Sequence, residues 1–366
     1  MSDLLRELSK MVDDFGAAPK IGEMPRKNLA DKGILGPTAA HFVEEVHTPL
    51  NFSYITFSTG TSAFQNIVGI THAELPDRIK ASRAALEAAG LKKGDKLLVT
   101  YPPLVNVFSA QALLEFGLEW TFLLRSSRDA FLAGLYDEKP DAVIGESSFL
   151  RAAIEDAKKM NIAAQLPQCP VVLAAGTTLD LELLPVAREV LSASVHDFYG
   201  CQEFGWLVVD GAPVRDDIVL LPDKIKGKEY CELAVGGLPM GDSFVCSETG
   251  HVCDRGGKII TYSRERNYPE LEVVVKASPL SSALTLNRLA RGILRIKGRV
   301  VKVSPDVKLN APHTVLELVP DPLAKGERQS FIIEGPEKTR YFDSMAKAQL
   351  DYQQSDKKDP VWMKKS

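Results

Sequence analysis

Residues 139–160 read KPDAVIGESSFLRAAIEDAKKM: PDAVIG is a short apolar run of strand length, and SSFLRAAIEDAKKM repeats its apolar residues at helical spacing. The same alternation extends in both directions. Upstream, ELPDRIKASRAALEAA (Glu74–Ala89) predicts a helix stopped by Gly90, DKLLVTY a strand, Val107–Phe116 a helix, EWTFLL a strand and SSRDAFLAGLYDEK a helix. Downstream, CPVVLAAG predicts a strand and DLELLPVAREVL a helix. Short apolar strands between amphipathic helices imply an α/β fold with buried, parallel-rich sheet flanked by helices. Its loops gather at strand ends, where ligands usually bind.

Outside this core the texture differs. Residues 1–50 read as amphipathic helix and irregular lead-in, and NFSYITFSTGTS (Asn51–Ser62) as a strand breaking into a polar loop. Beyond about Pro213 come Gly-punctuated, β-like segments: KEYCELAVGG, HVCDRGGKIITYS, LEVVVKA, GILRIKGRVVKVS, TVLELVP and SFIIEG. The polar stretch from Lys325 predicts a helix followed by a loose tail.

With 45% hydrophobic and 25% charged residues the chain is ordinary globular material, so wholesale disorder is excluded. A formal net charge of -4 carries none of the basic footprint that nucleic-acid binding requires. The N-terminus, MSDLLRELSKMVDDFG, mixes acids and bases and lacks a long uncharged core, which predicts neither a signal peptide nor a membrane span. The 5 cysteines suit reduced thiols better than a disulfide framework, and the expected location is cytoplasmic.

Two loops carry candidate chemistry. In Ser58-Thr59-Gly60-Thr61-Ser62, small hydroxyl residues around a glycine let amides and hydroxyls approach a polyphosphate, although the same composition suits a plain turn. No Walker motif is present. In Tyr199-Gly200-Cys201-Gln202-Glu203, an aromatic able to stack on a base, a glycine and a carboxylate suited to Mg²⁺ form a nucleotide edge, or an ordinary Tyr-Gly turn.

In order and separation these loops resemble the adenylate-forming superfamily of acyl-CoA and phenylacetate-CoA ligases. STGTSAFQNIVGITH aligns with that family's TSGTTGxPKGVVLTH at Gly60, Thr61, Thr71 and His72, and the family's YGxTE corresponds to Tyr199, Gly200 and Glu203. TYPPLVNVFS, KPDAVIGESSFLRAAIE, AAGTTLDLELLPVARE, GKEYCEL and Lys297-Gly298-Arg299 resemble further family segments in the right order, the last being the hinge before a mobile C-terminal domain. The resemblance implies an adenylation core over 1–297, β-rich from about 213, and a shortened α+β C-terminal domain over 298–366. It implies an ATP-dependent acid–thiol ligase forming an acyl-adenylate and using ATP, Mg²⁺ and coenzyme A. The alternatives are transfer to a protein or carrier-protein thiol, or a binding module of reduced catalytic capacity.

Carried over position by position, the resemblance assigns Ser58, Thr59, Gly60, Thr61 and Ser62 to the phosphates and Gly176, Thr177 and Thr178 to the adenine and acyl pocket. Tyr199 and Gly200 would face adenine and Arg299 the ribose or phosphates, with Asp254, off the aligned position, a substitute for the family's ribose aspartate. Glu203 would hold Mg²⁺, with Thr61, Glu203 and Arg299 closest to the chemistry. His72, at the end of the aligned loop, and Asn106 would line the substrate pocket; His196, just before the Tyr-Gly pair, is a pocket lining or a packed histidine. Departures are specific: the family's loop lysine falls at Asn66, its pocket aromatic or histidine at Asn106, which points to a small or substituted acid, and its ribose aspartate at His251. Nothing after the hinge matches the catalytic lysine motif SGK, so either adenylation proceeds with an incomplete set or a partner subunit completes the site; a homodimer is the default assembly expected.

Cys231, Cys246, His251 and Cys253 include C-x₄-H-x-C, a donor set suited to tetrahedral Zn²⁺, although the spacing is not that of a standard zinc ribbon and buried free cysteines are the plainer reading. Cys201, beside Glu203, is a candidate acyl acceptor if its thiol ionises.

Overall fold

The computed structural model describes residues 5–6, 52–58, 66–123, 125–225, 228–246, 252–253, 271–297, 299–320 and 329–355. The chain divides into two compact units. Arg78–Val214 is the body of the first, and Ile34–Asp77, Arg215–Cys246 and Arg264–Ser366 belong to the second.

The first unit is built on a seven-stranded sheet. Its strands are β3 (Lys96–Val99), β4 (Glu119–Phe122), β5 (Ala142–Gly145), β6 (Val171–Ala175), β7 (Ser194–Cys201), β8 (Gly205–Val209) and β9 (Ala212–Pro213), in the order β4-β3-β5-β6-β7-β8-β9. The five strands from β4 to β7 are parallel, and β8 and β9 append antiparallel. This is the helix-flanked, parallel-rich α/β arrangement that the apolar runs imply. β5 is buried at every position because both sheet faces are covered. On one face Leu98, Val143, Val172 and Ala174 pack with Phe131, Ile154 and Leu183 from α4 (Arg128–Glu138), α5 (Ser147–Lys159) and α6 (Leu183–Leu191). On the other, Leu97, Val99, Ile144 and Ala175 pack with Leu86, Phe108 and Leu113. Those three residues come from α1 (Leu75–Ala88), α2 (Pro103–Phe108) and α3 (Ala110–Phe116).

Two sequence expectations change here. Val107–Phe116, expected as one helix, is split between α2 and α3 at Ser109, whose φ of 79° breaks the helical path while its hydroxyl accepts from the Ala112 amide and starts α3 afresh. Tyr199, Gly200 and Cys201, expected as a turn, lie inside β7, with Tyr199 opposite Val208 and Cys201 opposite Gly205; the chain turns only at Gln202–Phe204.

In the second unit, β1 (Phe52–Ser58) and β2 (Asn66–Thr71) form an antiparallel hairpin. β10 (Ile218–Ile225), β11 (Lys228–Val235) and β12 (Leu238–Cys246) form an antiparallel meander. After the two-residue strand β13 (Val252–Cys253), the strands β14 (Leu271–Ala277), β15 (Val301–Lys308), β16 (Val315–Pro320) and β17 (Phe331–Glu334) form a further sheet in the order β15-β14-β16-β17. β14 and β15 are parallel and joined through α7 (Ala283–Lys297). GILRIK, expected as strand, is the last part of α7, because Leu286, Leu289, Ala290, Ile293 and Ile296 bury one helical face. The closing helix, α8 (Arg340–Ser355), falls within the polar stretch from Lys325, where a helix was expected.

A buried polar cluster ties this unit together. Lys297 Nζ donates to Glu74 Oε1 at 2.8 Å and to the Gly69 carbonyl at 3.0 Å. Glu74 Oε2 in turn accepts from the Thr71 amide and hydroxyl, both at 3.1 Å. The base of the β1–β2 hairpin is thereby fixed to the end of α7. Near the start of α8, Arg340 pairs with Asp77 and Asp216, and Arg215 with the fully buried Asp217.

Candidate functional site

The parallel strands of the first unit all run one way, so their carboxyl ends share an edge. β3 leads through Tyr101 into α2 and Asn106, β5 into Glu146, β6 into Gly176-Thr177-Thr178, and β7 into Gln202-Glu203. Ligands of open α/β sheets bind at this edge, because the side chains there are not consumed by packing and helix N-termini face outward.

Glu146 organises the middle of the edge. As the residue before α5 it accepts from the amides of Ser148 at 3.1 Å and Phe149 at 2.8 Å, and it also receives the Thr177 hydroxyl at 2.9 Å. Partial burial pulls its acidity the other way, but hydrogen bonds from the Ser148 and Thr177 hydroxyls and the Phe149 and Ser148 amides hold the carboxyl below its ordinary range. The loop after β6 is pinned further by Ser147, whose hydroxyl donates to the Thr178 carbonyl at 3.1 Å and accepts from the Asp180 amide at 3.0 Å, and by Arg151, which donates to Asp180 at 2.6 Å. Gly176 has a φ of +89°, and a β-carbon there would meet nothing within 4 Å, leaving an open approach to the backbone.

Arg78 links the other segments. Its guanidinium donates to the carbonyls of Gln202 at 2.9 Å and Glu203 at 3.0 Å, and to those of Val107 at 3.3 Å and Asn106 at 3.4 Å. Gln202 Nε2 donates to the Pro103 carbonyl at 2.9 Å, so the turn after β7 and helix α2 are tied twice. A planar cation with several fixed donors can span four carbonyls in this way. Gly200 has no room for a side chain: a β-carbon would lie 2.5 Å from the Gly205 carbonyl and 2.8 Å from the Trp206 ring. Beside it, Phe108, Phe198 and Trp206 meet edge-on or tilted, with Trp206 centroids 4.9 and 5.1 Å from the two phenylalanines.

The carboxyl edge thus collects Asn106, Gly176, Thr177, Thr178 and Glu203, with Tyr199 and Gly200 one to two residues inside β7. Tyr199 is buried there. His196 is not in this group: it lies near the amino end of β7, where its Nδ1 meets Asp210 at 2.7 Å and its Nε2 the Ser194 hydroxyl at 3.2 Å. Burial, then the neighbouring Glu203 carboxylate, push the Cys201 thiol well above its ordinary value, which disfavours the thiolate an acyl acceptor needs.

In the second unit, Ser58 ends β1, His72 is exposed just after β2, and Arg299 donates to the Met240 carbonyl at 2.8 Å. Thr59, Gly60, Thr61, Ser62, Asp254 and His251 lie outside the described residues, as do the side chains of Ser58, Asn66, Cys231, Cys246 and Cys253. Among the described residues no group of three metal-ligating side chains is assembled, and no helix is long and apolar enough to cross a membrane. Sequence reading passed over Arg78 and Glu146. Each left a trace: Arg78 shares the buried face of α1 with Ala81, Ser82 and Ala85, and Glu146 stands at the cap position before the Ser-Ser start of α5.

Against known proteins, the family model described as the MadH C-terminal domain matches residues 210–353. The ACP-SH:acetate ligase of Malonomonas rubra is 55% identical over 366 residues, covering 100% of both chains. Among solved structures, the O-succinylbenzoate coenzyme A synthetase (MenE) of Bacillus subtilis in complex with AMP is 14% identical with a TM-score of 0.43; it matches 60% of this chain, which spans only 50% of its length. A 2-hydroxyisobutyryl-CoA ligase in complex with 2-HIB-AMP and CoA has the same identity, 14%, and TM-score, 0.43, with 89% of this chain and 88% of that one covered.

Proposed function

The chain belongs to the family of the Malonomonas rubra ACP-SH:acetate ligase, and from that premise we propose that it joins a small carboxylic acid to a carrier-protein thiol through an acyl-adenylate made from ATP. The observation that carries the proposal is the 55% identity extending over the whole of both chains. The relative's name specifies acetate and a carrier-protein thiol, so of the two acceptors expected from the sequence the protein thiol takes precedence over coenzyme A. An acid of that size also suits the polar Asn106 and an interior beside the site already filled by Phe108, Phe198 and Trp206.

In this reading the acid's carboxylate oxygen attacks the α-phosphorus of ATP and pyrophosphate leaves. The carrier thiolate then attacks the acyl carbonyl, and AMP departs with the bonding electrons. Negative charge builds on phosphoryl oxygens in the first step, which preorganised donors stabilise. Gly176–Thr178, at the carboxyl edge of the first unit's sheet, would border the nucleotide and acyl groups. Glu203 would hold Mg²⁺, which when bound neutralises phosphate charge. One carboxylate is enough where substrate phosphates and water complete the shell. Glu146 keeps Thr177 in place, and Arg78 holds the Glu203 turn.

The test is acetate-dependent ATP–pyrophosphate exchange, followed by thioester formation on holo acyl carrier protein. Exchange that is supported by acetate and lost in Glu203→Ala is the expected result. A second reading, an adenylation fold that binds without catalysing, draws on Asn66 and the missing SGK motif. Nucleotide binding without exchange for any acid would favour it and defeat the ligase proposal.

A further inference from the structure

Helix α7 carries Arg288, Arg291, Arg295 and Lys297 and not one carboxylate, in a chain whose formal net charge is -4. Its inner side is spent on the core through Leu286, Leu289, Ala290, Ile293 and Ile296. Its outer side exposes Leu284, at 62%, and Leu294, at 49%, with Asn287, Arg288 and Arg291 exposed between them. Helical geometry puts these five on a stripe about 120° wide and about 15 Å long. Neither Arg288 nor Arg291 takes part in an ion pair or hydrogen bond among the described residues. Exposed leucines bracketing these arginines form an apolar-and-cationic face, whereas solvated helix faces ordinarily mix both signs of charge.

We propose that this outer face of α7 docks the acyl carrier protein that delivers the thiol, with the arginines meeting carboxylates and the leucines covered by apolar side chains of an acidic surface. The inference rests on the carrier-protein reading above and adds where that partner binds. Charge complementarity selects the occupant: the arginines call for an acidic surface, and the flanking leucines for one that also presents apolar groups. A nucleic-acid backbone would use the arginines and leave the leucines wet. A stripe of this size fits a small, transient interface, as a partner that must leave after each transfer requires. Charged contacts of this kind act largely on association rate and are weakened by salt.

The experiment uses the full chain with holo acyl carrier protein of Malonomonas rubra, acetate and ATP, comparing wild type with the double variant Arg288→Glu/Arg291→Glu. The expected result is a KM for the carrier protein raised roughly tenfold or more, with acetate-dependent pyrophosphate exchange unchanged. Arg288→Lys/Arg291→Lys should stay near wild type, and added salt should raise the wild-type KM while barely moving that of the charge-reversed variant. A carrier-protein KM that does not move in the charge-reversed variant, while wild type forms the thioester, overturns the docking surface and leaves the ligase reading intact. Exchange without any thioester on the carrier protein, but with one on coenzyme A, overturns the acceptor reading and the docking surface together. Charge-dependent sedimentation with phosphatidylglycerol vesicles at an unmoved carrier-protein KM would reassign the face to a lipid surface.

Discussion

Replacing Arg78 with methionine removes a buried cation whose guanidinium donates to four backbone carbonyls. The bonds to Gln202 and Glu203, at 2.9 and 3.0 Å, are each worth about 1.5–3 kcal/mol as hydrogen bonds from a charged donor, and the two at 3.3 and 3.4 Å contribute less. Relief from burying the cation returns part of this, and methionine fills much of the volume. The net loss for Arg78→Met is therefore about 3 kcal/mol. Urea unfolding should show a lower midpoint with an unchanged slope. Because the freed carbonyls belong to the Glu203 turn and to α2, the Mg²⁺ needed for half-maximal pyrophosphate exchange should also rise roughly tenfold. Arg78→Lys should recover stability in part only, since an ammonium cannot fork across four acceptors. A loss below about 1 kcal/mol with an unaltered Mg²⁺ requirement would refute the assignment of Arg78 as the clamp between the two segments.

Three further outcomes follow from the same geometry. Lys297→Met strands the buried Glu74 carboxylate and should cost about 3–5 kcal/mol in urea unfolding, with Lys297→Met/Glu74→Leu recovering much of it; equal losses in the single and double variants would count against a coupled pair. Glu146→Gln should lower thermal stability by a gap that is constant from neutral pH downward and narrows below about pH 4.3, because a carboxyl held below its ordinary range contributes stability above its unfolded value and loses it as acid protonates the folded form; a gap that persists in acid would refute this. Cys201→Ala should retain thioester formation on the carrier protein, and iodoacetamide should label Cys201 slowly at neutral pH and faster only in strong alkali; rapid labelling at neutral pH with loss of transfer would restore Cys201 as an acyl acceptor.

The sequence by itself determined the alternation of the first unit and most of its elements, since a strand buried on both faces must be apolar throughout and the helices covering it must be apolar on one side only. It also marked the segments that meet at the sheet's carboxyl edge, because glycine, threonine and glutamate cluster there against an apolar background. It misread Val107–Phe116 and GILRIK for opposite reasons. In the first, one residue with positive φ breaks a periodic run, and no periodicity can register a single dihedral. In the second, β-branched and leucine residues in a short window obscured a helix whose repeat emerges only when the run is extended back to Ala283. The tertiary structure alone decided that Arg78, distant in sequence from both segments, holds α2 and the Glu203 turn through backbone carbonyls, that His196 stands near the amino end of β7, away from the carboxyl edge where Asn106 lies, and that Lys297 closes on Glu74. Such contacts leave little imprint on local pattern, because a carbonyl acceptor is present at every residue and only the path of the chain determines which one a buried cation reaches.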